Sequence, residues 1–376
     1  MIQHPVALLA FMFGVVAFSR LLEQRVRWVQ TISSAVVCTL LGIALSNLGV
    51  IPHTSPAYDA VNTYAIPYAI VLVMLATDVA ELRLAGGPML VAFVLACVGS
   101  GVGGVVSGVF FAPSVGPETW KLAGQFVAGF SGGGMNFVAV GRGLETEPTL
   151  FAAATVVNNL STVPWMLAQI VIYRWLSPFF RTSAGASSGS PERAAEIRDR
   201  WSHATLDIRD LALLAAAPLT VIWAADRLSP LLPGFPTVLW QTTLAIVAAQ
   251  IPGLKGARGS AMASYFALHV FFVAIGTASI VSEVFRYGLP LVLFMVSVIA
   301  IHAVIVYGVG RLAGLDLETV TIASQATVGG PGSALALAMS MQWTTLATPG
   351  IIVGIFGYAI GNYVGFACAY LTRALL

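Results

Sequence analysis

Charge is what this sequence has least of. Of its 376 residues, 9% are Asp, Glu, Lys or Arg, while 58% are hydrophobic. A water-soluble domain carries about 25% charged residues, so this chain cannot cover a soluble surface. The formal net charge is only +2. No basic stripe accompanies it, and a nucleic-acid partner is not expected. Cysteine is also scarce. Cys38, Cys97 and Cys368 each sit in an apolar run without CxxC or CxxH spacing, so they read as small core residues. No Lys or Arg precedes the first apolar run and no small-residue cleavage site follows it, which speaks against a cleaved secretory signal. The sequence has no HExxH, no GxSxG, no P-loop and no acidic pair at metal spacing. The expectation is a protein that is not an enzyme, uses no cofactor and has no ATP-binding domain.

What the chain does have is apolar length. Twelve apolar segments run from residues 5–19 to residues 348–371, and they predict an all-α, polytopic membrane protein with eleven to thirteen spans. Its partner is the lipid bilayer, and its expected place is the cell's inner or plasma membrane. Several segments are short for a core about 30 Å thick, and short or interrupted segments are the informative ones in transporters.

One stretch breaks the pattern. RTSAGASSGSPERAAEIRDR, Arg181 to Arg200, is rich in Ser, Gly and charge and reads as a solvated linker. It divides the chain into an N-terminal repeat (1–177), a linker (178–209) and a C-terminal repeat (210–376), each repeat holding six apolar segments. Loop charge then poses a problem. Arg20, Arg25, Arg27, Arg83 and Arg142 favour the cytoplasm, and so does the Arg-rich linker. Six crossings from an outside N-terminus would leave the linker outside. An odd number per half removes the conflict and makes the halves inverted repeats. Either one apolar segment is then not a separate full span or one span is missed; a parallel repeat with an external linker is the alternative.

The fifth segment of each half carries a glycine cluster: SGGGMN at Ser131–Asn136 and VGGPGS at Val328–Ser333. Glycine weakens a helix by about 1 kcal/mol and proline by about 3, so the helix should unwind at both places. Unwound backbone cannot face lipid, because its polar groups would go unsatisfied; it must face protein or a wet cavity. The clusters predict two crossing, unwound helices with a substrate or ion site between them at mid-membrane. Gly132, Gly133, Gly134, Gly329, Gly330 and Pro331 would frame that site. Asn136, Asn158, Asn159, Ser324, Gln325, Ser333 and Asn362 would supply side chains. By contrast, CVGSGVGGVVSGVFF at Cys97–Phe111 reads as close helix packing, and His269 and His302 read as lone buried histidines.

The motifs SGGGMNFVAVGRGL, LSNLGVIP and VGGPGSALALAMSMQW, followed by PGIIVGIFGYAIGNYVG, resemble the YjcL-like membrane-protein family, domain of unknown function 819, over nearly the whole chain. That family is grouped with cation–proton antiporters, bile-acid–sodium symporters and auxin-efflux carriers. The resemblance implies inverted repeats with two unwound crossing helices. Where relatives often carry an acid in the sixth segment, this chain has Asn158-Asn159, which weakens a proton-antiport mechanism.

These readings converge on a secondary active transporter of a small solute, coupled to an ion. Sodium is favoured over the proton, held at the same site, because neutral oxygen ligands abound and titratable groups are scarce. The first segments of each half would form a scaffold and offer a homodimer interface. Two rivals stand beside it. One is an intramembrane enzyme acting on a lipid through Asp78, Glu81 and His269, and the other is a passive channel.

Overall fold

The computed structural model describes residues 2, 4–75, 79–180, 206–254, 259–279 and 281–376. The expected linker at Arg181–Arg200 and Asp78 lie outside the described residues. Among the described residues every regular element is helical. The first half holds α1 (Pro5–Arg25), α2 (Arg27–Asn47), α3 (Pro56–Leu75), α4 (Gly87–Val115), α5 in two legs, α5a (Thr119–Gly132) and α5b (Gly134–Gly143), and α6 (Pro148–Leu176). The second half repeats the order: α7 (Ile208–Leu228), α8 (Thr237–Ala248), α9 (Ser260–Thr277), α10 (Val281–Leu312), α11 (Leu317–Ser340) and α12 (Thr344–Leu375).

Among the described residues eight helices are long and apolar enough to cross a membrane: α1, α3, α4, α6, α7, α9, α10 and α12. Within α2 and α8 the apolar stretches are shorter. The chain is a multi-pass membrane protein. Two further elements, α5 and α11, carry the glycine clusters and are not among the eight.

Both turn back on themselves, which corrects the expectation of two crossing helices. In α5 a side chain placed on Gly129 would put its Cβ 3.2 Å from Phe137 Cβ, although a straight helix holds residues eight apart at about 12 Å. The Phe126 and Phe137 rings lie 5.4 Å apart. Bonds across the open end close the hairpin. Lys121 Nζ donates to Glu145 O at 2.9 Å, Gln125 Nε2 to Thr146 Oγ1 at 2.8 Å, and the Glu147 amide to Glu118 Oε2 at 2.8 Å. In α11 a Cβ on Gly350 would meet both Ile322 Cγ2 at 2.6 Å and Ala334 Cβ at 3.4 Å. Tyr173 on α6 touches both ends of that hairpin: its hydroxyl donates to Glu318 Oε1 at 2.8 Å, and its ring lies 4.8 Å from that of Trp343.

Glycine makes each reversal feasible. Gly133 turns at φ 78, ψ 178 and Gly330 at φ 77, ψ −177. Positive φ with ψ near 180° is a region essentially only glycine enters. Each hairpin also ends on a residue in left-handed backbone, Glu145 at φ 53 and Gln342 at φ 60, at the same distance in sequence beyond its tip.

The small residues of α4 pack as the sequence suggests. A Cβ on Gly99 would strike His302, and one on Gly103 would strike Val298, while Ser107 Oγ donates to Ser297 Oγ at 2.8 Å. As α4 advances α10 retreats, so these corresponding helices of the two halves run antiparallel. Two halves related by an axis lying in the membrane plane would be arranged this way.

Candidate functional site

The two hairpin tips meet at one cavity of about 690 Å³. Gly133 and Gly134 line it from the first hairpin and Val328, Gly329 and Gly330 from the second. Asn158, Asn159 and Thr162 of α6 form one wall, and Tyr265 and His269 of α9 another. Tyr358 of α12 stands between the tips. A Cβ on Gly133 would lie 3.3 Å from its ring, and one on Gly330 would lie 3.7 Å from its hydroxyl. Its hydroxyl is 3.3 Å from that of Tyr265.

The helix ends give this place its electrostatics. The first amide groups of α5b and of the second leg of α11 lie at the tips, carrying the positive end of a helix dipole, and the carbonyl ends of the preceding legs carry the negative end. Asn158 Oδ1 and Asn159 Nδ2 are buried and have no hydrogen-bond partner among the described residues. Leaving such groups unpaired costs about 1–3 kcal/mol each.

Of the residues expected to form the site, the structure brings Gly133, Gly134, Asn158, Asn159, Gly329 and Gly330 to the cavity. The others stand behind the tips. Asn136 Nδ2 donates to Tyr358 O at 2.8 Å and to Asn362 Oδ1 at 3.0 Å, and Asn362 in turn donates to Thr242 Oγ1 at 2.9 Å. These two asparagines fasten the first hairpin to α12 and α8. Ser333 donates to its own hairpin backbone, at Gly330 O, over 3.0 Å. Gly132 and Pro331 are buried against α12. Gln325 is fully buried, and neither end of its amide finds a partner among the described residues.

Ser324 belongs to a closed chain around His302. Trp165 Nε1 donates to Ser324 Oγ at 3.3 Å, and Ser324 Oγ lies 2.8 Å from His302 Nε2. His302 Nδ1 lies 2.9 Å from Ser100 Oγ, which donates to Phe130 O at 2.7 Å. Every member is satisfied with a neutral imidazole, so His302 is the buried structural histidine the sequence suggested.

His269 is different, because it lies on the cavity wall. There it joins Arg20 and Glu23 of α1 and Ser34 of α2, residues that sequence reasoning passed over. The signal was present: Arg20 and Glu23 extend an apolar helix beyond the run counted from hydropathy. Their pairing with a histidine far along the chain is visible only in three dimensions. Of the acids once set beside His269 for lipid chemistry, Asp78 and the side chain of Glu81 lie outside the described residues.

Comparison with known proteins settles the family. The profile described as protein of unknown function (DUF819) matches residues 10–375. The chain belongs to the DUF819 family. It is similar to the uncharacterized membrane protein YjcL of Bacillus subtilis (strain 168), with 29% identity over 366 residues covering 92% of this chain and 91% of that protein.

Proposed function

We propose that this DUF819 protein is a secondary active transporter that carries a small polar solute across the inner or plasma membrane, driven by an ion gradient. The observation that carries this reading is the meeting of two glycine-tipped hairpins at one cavity. Exposed backbone inside a membrane is tolerated only where it faces protein or a water-filled space, and paired half-helix ends at a repeat interface are how transporters hold charged and polar solutes.

The hairpins also remove the conflict in loop charge. If α5 and α11 do not cross, each half has five crossings. An outside N-terminus then puts the α1–α2 turn, the end of α6 and the start of α7 on the cytoplasmic side, with Arg20, Arg25, Arg27 and Arg174. Arg142 and Arg373 fall outside in this arrangement. Arg20 and Glu23 line the cavity, and this topology puts them on its cytoplasmic side.

A thermal-shift screen of ions and small metabolites on the purified protein and on Gly330→Leu tests the reading. A compound that stabilises only the unaltered protein, and accumulates against its gradient in proteoliposomes, supports it. Uptake that only equalises concentration identifies a channel. Turnover of the compound identifies an enzyme.

A further inference from the structure

The wall facing the tips holds a chain of three side chains from three helices. Glu23 Oε2 lies 2.9 Å from Ser34 Oγ, and Ser34 Oγ lies 3.0 Å from His269 Nε2. Glu23 Oε1 also accepts the Ser34 amide at 3.2 Å. On its other side the His269 ring is fixed: Nδ1 lies 2.7 Å from the carbonyl oxygen of Tyr265. A carbonyl can only accept, so Nδ1 carries a hydrogen and donates.

Counting hydrogens shows what an added proton would change. With His269 neutral and Glu23 ionised, Nε2 and Oε2 are both acceptors; Arg20 already donates to Oε2, so the single Ser34 hydroxyl hydrogen can go to Nε2, which sets the Ser34 and Glu23 oxygens in conflict across 2.9 Å. One added proton removes the conflict. Nε2–H donates to Ser34 Oγ, and the hydroxyl donates to Glu23. Arg20 pairs with Glu23 and donates to Ser34 Oγ at 3.3 Å, and with a carboxylate at Glu23 the added proton sits on His269 Nε2.

We propose that Glu23, Ser34 and His269 form a proton-binding site on the cavity wall, and that the proton is the coupling ion; this second statement rests on the transporter reading above. It replaces the preference for sodium, which followed from an apparent scarcity of titratable groups. The surroundings are bounded. Arg20 is the charged neighbour on α1, Cys38 lies on α2, and Tyr265 shares α9. Tyr358 reaches in from α12, while α6 and the two tips bring only amides, hydroxyls and apolar groups to the wall. The path to the solute site is short. His269 lies one turn from Tyr265, whose hydroxyl meets that of Tyr358 between the tips. The two buried histidines thus differ in setting: His302 closes its bonds on hydroxyl groups, and His269 reaches a carboxylate through one hydroxyl.

Nitrogen NMR on the full-length protein in detergent, labelled with ¹⁵N-histidine, tests the site. The chain has five histidines, and His269→Gln identifies the ring of interest. The expected result is a His269 ring protonated on both nitrogens at neutral pH that loses one proton as pH rises, while His302 stays a single neutral tautomer. Glu23→Gln and Ser34→Ala should each weaken proton binding at His269 about tenfold, or one pH unit. Thermal unfolding shows that the variants are folded, and the unaltered protein decides the matter if one is not. A His269 ring that is neutral from about pH 5 to about pH 9, or an affinity unchanged in both variants, overturns the site. That outcome leaves the transporter reading standing, because the tips do not depend on these three residues. A His269 that titrates as expected in an unaltered protein that transports nothing removes the transporter reading instead.

Discussion

The two hairpins share a tip geometry and differ in what covers them. α5 is buried along nearly all of both legs from Thr119 to Gly141. The second leg of α11 leaves Gly332, Ala336, Met339 and Ser340 exposed, Met339 by 54%. The bonds differ in the same direction. Asn136 ties the first hairpin to α12 at two points, whereas the corresponding Ser333 bonds only within its own hairpin. Opening free energy follows buried contacts, so the first hairpin is the fixed half of the site and the second is the half able to move. If the proposed topology holds and the cavity opens to the cytoplasm, the second hairpin, which enters from that side, is placed to act as the gate there.

The largest effect expected from this comparison is all-or-none. Ser114, at the end of α4 beside the first hairpin, and Ser340, at the end of the second, are both exposed. In a background lacking Cys38, Cys97 and Cys368, a cysteine at Ser114 should react with an impermeant maleimide only from outside the cell. One at Ser340 should react only from the cytoplasmic side. Labelling of both from one face would end the inverted arrangement and the gate with it.

Next in size are the tips. A side chain at φ near +78° with ψ near 180° costs about 1–3 kcal/mol, a factor of about 5–150. Gly133→Ala and Gly330→Ala should each lower solute affinity or uptake by such a factor. If the first hairpin is the fixed half, Gly133→Ala should also lower thermal stability, since its Cβ would lie 3.3 Å from the Tyr358 ring. Gly330→Ala should act mainly on function. Equal losses of stability would erase the distinction.

Sequence reasoning reached the all-helical membrane fold and the backbone breaks at the glycine clusters, because each leaves a local mark: apolar length and a propensity break. It placed the clusters in crossing helices because a break says that a helix stops, not in which direction the chain resumes. The reversal is fixed by partners distant in sequence, such as Gln125 with Thr146 and Tyr173 with Glu318 and Trp343. Asn136 and Asn362 were read as site residues by type, although their amides hold helices together. Glu23, Ser34 and His269 could not be joined from sequence at all, since their pairing depends on α9 packing against α2.

A smaller effect separates the corresponding polar residues. Asn136→Ala removes two buried bonds and leaves Asn362 Oδ1 without its donor, a loss of about 1–3 kcal/mol. Ser333→Ala removes bonds to the backbone of one hairpin, about 0.5–1.5 kcal/mol. Chemical denaturation of both variants checks the order, and a larger loss at Ser333 would contradict the assignment of the fixed half.

The smallest expected change is also the most discriminating for the moving half. A Cβ added to Gly332 meets nothing within 4 Å, whereas one added to Gly132 would strike Asn136, 2.7 Å away. Gly332 has ordinary helical backbone, two residues beyond the tip. Gly332→Ala should therefore stabilise the protein by a few tenths to about 1 kcal/mol, through helix propensity and a less flexible unfolded chain. Gly132→Ala should destabilise it by about 1–3 kcal/mol through overpacking. Stability alone does not exhaust the test, because a gate samples more than one position. If the second hairpin closes over the cavity, the open side of Gly332 acquires a neighbour, and the added methyl group obstructs closure while leaving the open state intact. Gly332→Ala would then raise thermal stability without solute and reduce the extra stabilisation that solute confers. A methyl group that changes neither quantity would show that the exposed leg stays exposed throughout the cycle and that some other element closes the cavity.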